Sequence, residues 1–229
     1  MPYLKHLECK EAEREHRNED KEAAKNDSNI LAFNFDLQAV FNTPKCAVGP
    51  FFYVRKLAVY NLALYNLGNQ DYRNLRMHLE VPNNSNWNTS GLELYLTAAQ
   101  GSRKMPLACM CLYVVRNHPT IQLIDHPFFE PGHSQMECDS IHSKIEQKAK
   151  AIPVYTPDEW LQIMRTARTN PRHYEVTMLL HDDFQDFNST KEYLRPCNSS
   201  SAKVPAKYRD AVWLQYRKEV PDTVFIKTD

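Results

Sequence analysis

Glycine is scarce, at 5 residues in 229 against 14 prolines, and neither GxGxxG nor GxxxxGK occurs. The Gly-rich loops that cradle phosphates in common nucleotide-binding folds are therefore excluded, and no nucleotide cofactor is expected. An excess of charge of either sign is also missing. Lys and Arg total 28, as do Asp and Glu, so no whole-chain field draws the protein to nucleic acid or anionic lipid, and any such binding must be local. No apolar run approaches the ~20 residues of a bilayer-spanning helix, so no membrane partner is expected. The six cysteines, Cys9, Cys46, Cys109, Cys111, Cys138 and Cys197, are scattered without a CxxC pair, and no basic-then-apolar signal segment opens the chain. Free thiols in a reduced, intracellular compartment are expected, the nucleus among the possibilities.

What is present is the composition of a folded chain. Apolar residues make up 42% and charged residues 24%, with 12 Tyr and 10 Phe, enough to bury a core without covalent staples. Residues 5–27 carry 8 acidic and 6 basic side chains and read as an exposed, solvated lead-in helix held by i,i+4 charge pairs. In 29–40, Leu31, Phe33, Phe35 and Leu37 alternate with Ala32, Asn34 and Asp36. That is the two-residue period of a strand, with Asp36 facing away from the Phe pair. The aromatic and β-branched stretch 51–67 suits a second strand, antiparallel to the first. Further strands are expected at 92–97, 120–126, 173–180, 211–218 and 222–227, and helices at 104–117 and 139–150. The clearest helix is 157–169, because Thr156-Pro157-Asp158-Glu159 supplies a cap, Pro at the first position and acids in the first turn. Strands gathered first and helices interposed later predict an α/β domain, α+β being the neighbouring class.

The densest reactive segment is EPGHSQMECDSIHSKIE, residues 130–146. If Asp139 begins a helix, His142 at i+3 and Glu146 at i+7 fall with it inside an arc of about 60°. Such a stripe can ligate Mg²⁺ or Mn²⁺ or act as a base. The same spacing equally suits a helix cap at Asp139 with a surface pair of His142 and Glu146.

Four blocks in order, FNFDLQAV followed by TP, FEPGHSQMECDSIHSKIEQKAK, VYTPDEWLQIMRTAR and MLLHDDFQDF, resemble a domain of uncharacterised transposon-derived eukaryotic proteins similar to RNase H-like, acid-triad transposases. The resemblance covers most of residues 5–229. It implies an RNase H-like mixed sheet flanked by helices, with a charged helix over 1–28 and a single domain over 29–229. It also implies acids on the first strand, at the end of a middle strand and near a following helix, which hold two divalent cations for phosphodiester attack. Asp36 matches the first acid and Asp139 the third, with Glu146 as the other possibility, and His133 and His142 match the turn and helix around it. The implied catalytic set is Asp36, Asp139, Glu146 and His142, and the implied metal ligands are Asp36, Asp139 and Glu146. No Asp or Glu lies between Glu93 and Asp125, so the middle acid is missing and catalysis is expected to be impaired.

Residues 191–218 hold 7 Lys and Arg against 2 acids, with Tyr193, Tyr208, Trp213 and Tyr216 interleaved. This composition suits DNA, with Lys203, Lys207, Arg209 and Arg217 on phosphates and the aromatics on bases, and Arg165 and Arg168 extend the patch. A non-catalytic nucleic-acid-binding or protein-interaction module on the same scaffold is the alternative function. Cys109 and Cys111 are expected in the core, because on a helix they point ~200° apart, and a nucleophilic Cys138 paired with His133 or His142 lacks an oxyanion hole in the spacing.

Overall fold

The computed structural model describes residues 2–52, 55–68, 71–72, 92–99, 105–129, 136–183, 186–187 and 211–228. Helix α1 (Pro2–Asn26) leads into β1 (Ile30–Leu37). A short hairpin, β2 (Phe41–Thr43) and β3 (Leu57–Val59), forms a separate two-stranded sheet and precedes β4 (Leu62–Asn66) and β5 (Asp71–Tyr72). Then follow β6 (Leu92–Ala99), α2 (Met105–Asn117), β7 (Ile121–Phe129), α3 (Glu137–Ala149), α4 (Pro157–Thr166), β8 (Ala211–Arg217) and β9 (Val224–Thr228).

Seven strands make one mixed sheet in the order β5-β4-β1-β6-β7-β8-β9. β1, β6 and β7 are parallel, β4 runs antiparallel to β1, and β8 and β9 extend the far side antiparallel. Helix α2 supplies the crossover that two parallel neighbours, β6 and β7, require. The result is an RNase H-like α/β sheet with helices on both faces.

Two cores follow from the alternation of side chains along the strands. Leu31, Phe33 and Phe35 of β1 join α2, β7 and β8 in a core that includes Cys111, Val115, Ile124 and Leu214. Ala32 of β1 joins Ala63, Tyr65 and Leu67 under α3 and α4, whose Ile141, Ile145, Trp160 and Met164 complete the second core. Among the described residues no helix is long and apolar enough to cross a membrane.

Three expectations are corrected. Helix α1 is not wholly solvated: Asp20 is buried, Ala24 packs against the second core, and His16 Nε2 lies 3.8 Å from Asp125 Oδ2 on β7. The i,i+4 row His16–Asp20–Ala24 faces the sheet with the half-buried Arg17 beside it, while Glu11, Arg14, Glu15, Glu19, Glu22 and Lys25 are exposed. Its backbone comes so close that a Cβ at Gly68 would stand 2.9 Å from the Ala24 carbonyl oxygen. Second, 51–67 is not one strand. A 3-10 turn (Gly49–Phe52) and the hairpin strand β3 come first, and the chain corners at Tyr60 and Asn61 before β4. Third, 173–180 forms no strand. The Tyr174 amide donates to the Arg165 carbonyl (3.3 Å) and the Arg165 guanidinium to the Val176 carbonyl (3.2 Å), so the end of α4 supplies partners that a neighbouring strand would otherwise provide.

The polar seam under α1 titrates. The Asp125 carboxylate beside it lifts the His16 imidazole to about 9 against the opposing effect of burial, and burial pushes the Asp20 carboxyl up to about 6 against the pull of His16. A raised imidazole stabilises the fold fully below about pH 6.5 and loses that contribution as pH climbs through about 9. A raised carboxyl destabilises the fold increasingly as pH rises from about 4 to about 6. Denaturant unfolding across this range should therefore show Asp20→Asn more stable than wild type at neutral pH, by on the order of 1 kcal/mol, and His16→Gln without the alkaline loss.

Candidate functional site

β1 sits at the middle of the sheet, and its even-numbered residues turn toward α3. Asn34 is fully buried there, Asp36 is partly exposed at the strand's end, and Gln38 is buried just beyond it. Helix α3 starts opposite them. Its N-cap is Met136, whose amide donates to Asp139 Oδ2 at 2.8 Å, so Asp139 closes the first turn as a capping carboxylate. One turn on, His142 Nδ1 stands 4.0 Å from Asp36 Oδ2. One donor atom from each of Asp36, Asp139 and His142 lies within 4.8 Å of the others. Asp139 thus caps the helix and also faces the strand-borne acid.

The pocket is held in place by amides. The Gln38 Nε2 donates to the His142 carbonyl (3.1 Å) and to Glu146 Oε1 (3.0 Å), and Gln38 Oε1 accepts from Asn61 Nδ2 (2.9 Å). Glu146 is therefore tied to Gln38 and stands outside the three-donor cluster. On the other flank, Glu137 Oε2 accepts from Asn34 Nδ2 and lies 3.6 Å from Arg17 Nη1 of α1.

Burial raises the Asp36 carboxyl above the usual carboxylate range; His142 pulls it back and Asp139 adds to the rise. Burial likewise lowers the His142 imidazole, opposed by Asp36, Asp139 and Glu146. The His142 Nε2 is buried without a hydrogen-bond partner among the described residues. A half-desolvated carboxylate beside a buried imidazole is an arrangement that a cation would relieve on both sides.

The remaining expected site residues fare differently. His133, Lys203, Lys207 and Arg209 lie outside the described residues. Arg165 is exposed, at the end of α4, and is engaged with the Val176 carbonyl. Arg168 is corrected: it is 5% exposed, donates from Nε to the Arg172 carbonyl at 2.8 Å and lies over the Tyr174 ring, so it braces its own loop and offers no surface charge. Arg217 is exposed on β8, stacked 4.7 Å from the Phe225 ring centre. Of the residues on β6, the one acid is Glu93, which pairs with Ile30 at the far end of β1 from Asp36.

The cysteine alternatives fall away. Cys109 and Cys111 are buried in the α2 core, and burial pushes the Cys111 thiol up to about 12. Cys138 is buried against the Asn34 and Ala63 carbonyls, with its thiol pushed far up, so it is no nucleophile. Sequence reasoning missed Gln38, Asn61 and Glu137. Gln38 had a signal, since it is the next polar residue in the even-numbered row of β1. Asn61 had none, because its role depends on a corner made by tertiary pairing.

Searches of family models, of curated proteins and of solved structures gave no match to this chain.

Gln38 is the keystone of the pocket wall. Gln38→Leu should leave the buried Asn61 amide without its partner and lower stability by roughly 1 to 2 kcal/mol, read as a shifted denaturant midpoint with an unchanged slope.

Proposed function

We propose that this chain is a transposon-derived, RNase H-like domain of transposase or integrase type, catalytically impaired, that keeps a pocket for one divalent cation. The observation that carries this reading is the convergence of Asp36 from the central strand and Asp139 and His142 from the helix opposite it. The strand order and the position of an acid at the end of β1 support the kinship. The lack of any acid on β6 after Glu93 supports the loss of activity.

The donor set fits a cation. Neighbouring donor atoms on a six-coordinate cation stand ~3 Å apart, so these three, which lie within 4.8 Å of one another, would draw in by side-chain rotation to share one ion. Two carboxylates balance one divalent charge and no more, and an imidazole donor favours Mn²⁺ over Mg²⁺. When bound, the ion would polarise a phosphate oxygen and lower the pKa of a coordinated water. Asp36 and Asp139 would carry the charge, His142 would serve as a neutral donor, and Gln38 would fix the helix turn that bears it. Two-metal phosphodiester chemistry needs further anionic ligands, which β6 does not supply beside Asp36. The setting for such a domain is an intracellular compartment that holds DNA, and DNA is its partner.

Calorimetric titration with Mn²⁺ tests the pocket. Binding should tighten as pH rises through the raised Asp36 value, since the proton must leave before the ion enters. Asp36→Asn and His142→Gln should each weaken it about tenfold or more. Labelled DNA incubated with the wild-type chain and Mn²⁺ should remain intact. Equal Mn²⁺ affinity in Asp36→Asn would remove the pocket, and DNA cleavage lost in that variant would overturn the impairment.

A further inference from the structure

On the far side of Glu146 from the acid–imidazole cluster, the β2–β3 hairpin and the C-terminal half of α3 enclose an open groove of about 690 Å³. That volume is in the range of small-molecule sites. Its charge is opposite in sign to that of the acid cluster. Lys45, Lys56 and Lys150 line it, against the single carboxylate of Glu146, whose Oε1 is already held by Gln38. Lys56 and Lys150 are exposed and enter no ion pair among the described residues. Two exposed ammonium groups without an ion-pair partner among the described residues, lining one groove, favour an anion there.

The groove lining is also aromatic, with the Lys45 ammonium 5.8 Å from the Trp160 ring centre. Phe41 stacks on Trp160 with ring centres 4.3 Å apart and planes 13° from parallel. Trp160 is buried and anchored by a hydrogen bond from Nε1 to Thr43 Oγ1 at 3.0 Å, whereas Phe41 is the partly exposed member of the pair. Polar side chains for hydrogen bonding come from Asn42 and Gln147. The groove is also preformed. Lys45 and Val154 exchange two backbone hydrogen bonds, at 2.7 and 2.8 Å, and the Lys45 ammonium donates to the Ala149 carbonyl at the end of α3. That bond turns the negative helix end, which would repel an anion, into a neutralised rim.

From these walls the geometry points to a binding site for a nucleotide unit, with its phosphates on Lys56 and Lys150 and its base against Phe41. Lysines act as point-charge phosphate partners and need no Gly-rich loop, so the scarcity of glycine does not forbid such a site. A flat, rigid aromatic backed by a second ring is the platform on which bases stack. The site is separate from the cation pocket and does not depend on it.

The same chemistry is offered by a free nucleotide and by a nucleotide within a single strand, and two probes separate them. ADP and a short oligodeoxyadenylate are titrated into the full chain in the presence of EDTA, so that no divalent cation contributes. Saturable binding is expected, weakened about tenfold or more in the Lys56→Gln, Lys150→Gln double variant and about fivefold or more in Phe41→Leu, with Asp36→Asn indistinguishable from wild type. Both lysines are exposed, so the double variant should unfold at the wild-type midpoint. Binding of ADP alone assigns the site to free nucleotides, and binding of the oligonucleotide alone to strands. No binding of either probe up to about 1 mM, or binding indifferent to the lysine pair, would overturn the proposal. Pyrophosphate binding as tightly as ADP would overturn the aromatic half of it. Loss of Mn²⁺ binding with ADP binding intact would count against the cation pocket alone.

Discussion

The parallel pairing of β1 with β6, register Phe35↔Ala98, stands at the centre of the molecule with β4 closing the other side of β1. Because the side-chain period is two, this one register sends Leu31, Phe33 and Phe35 into the α2 core and Ala32, Asn34, Asp36 and Gln38 toward α3. A slip of one residue would bury the acid and both amides in an apolar layer and expel the phenylalanines. Every polar contact described between β1 and α3 therefore inherits its geometry from a backbone ladder that carries no chemistry itself.

The two faces of the sheet are stabilised differently. The α2 face is mostly apolar, with His126 as its main exception: fully buried, both ring nitrogens without a partner among the described residues, and held by burial down at about 3. The other face is stitched by polar groups. Arg17, Glu137 and Asn34 connect α1, α3 and β1, while His16, Asp125 and Gln215 connect α1, β7 and β8, with the Gln215 amide donating to Asp125 at 2.9 Å. Such networks contribute little net stability per contact, yet leaving one member alone is costly, so they specify position more than they add strength. The carboxylates of this layer gather around two imidazoles, with Asp125, Asp20 and Glu19 near His16, and Asp36 and Asp139 near His142 at the α3 start.

Local patterns carried a good part of this into the sequence. The alternation in 29–40 placed Asp36 on the face opposite the phenylalanines, and the Thr156-Pro157 start marked α4 at its observed first residue. Those features depend on near neighbours in the chain. What the sequence could not convey was long-range: α1 has an ordinary charged composition, and nothing in it tells that His16 and Arg17 meet Asp125 and Glu137 more than a hundred positions away. The segment 173–180 has strand-like residues, yet among them only Glu175 forms a bridge, while Arg165 near the end of α4 takes up the Tyr174 amide and the Val176 carbonyl. Arg168 resembled a surface cation until Tyr174 folded beneath it.

The near contact between Gly68 and Ala24 has a mechanical meaning. The turn after β4 and the last turns of α1 touch through backbone and one methyl group, with no side chain at 68 to act as a spacer. Any larger residue there would work as a wedge. It would tilt the helix about that point and lengthen the distances at His16 and Arg17, two to three turns up the lever, more than at the fulcrum itself. One hydrogen atom in place of a methyl thus sets how squarely a 25-residue rod can lie on the sheet.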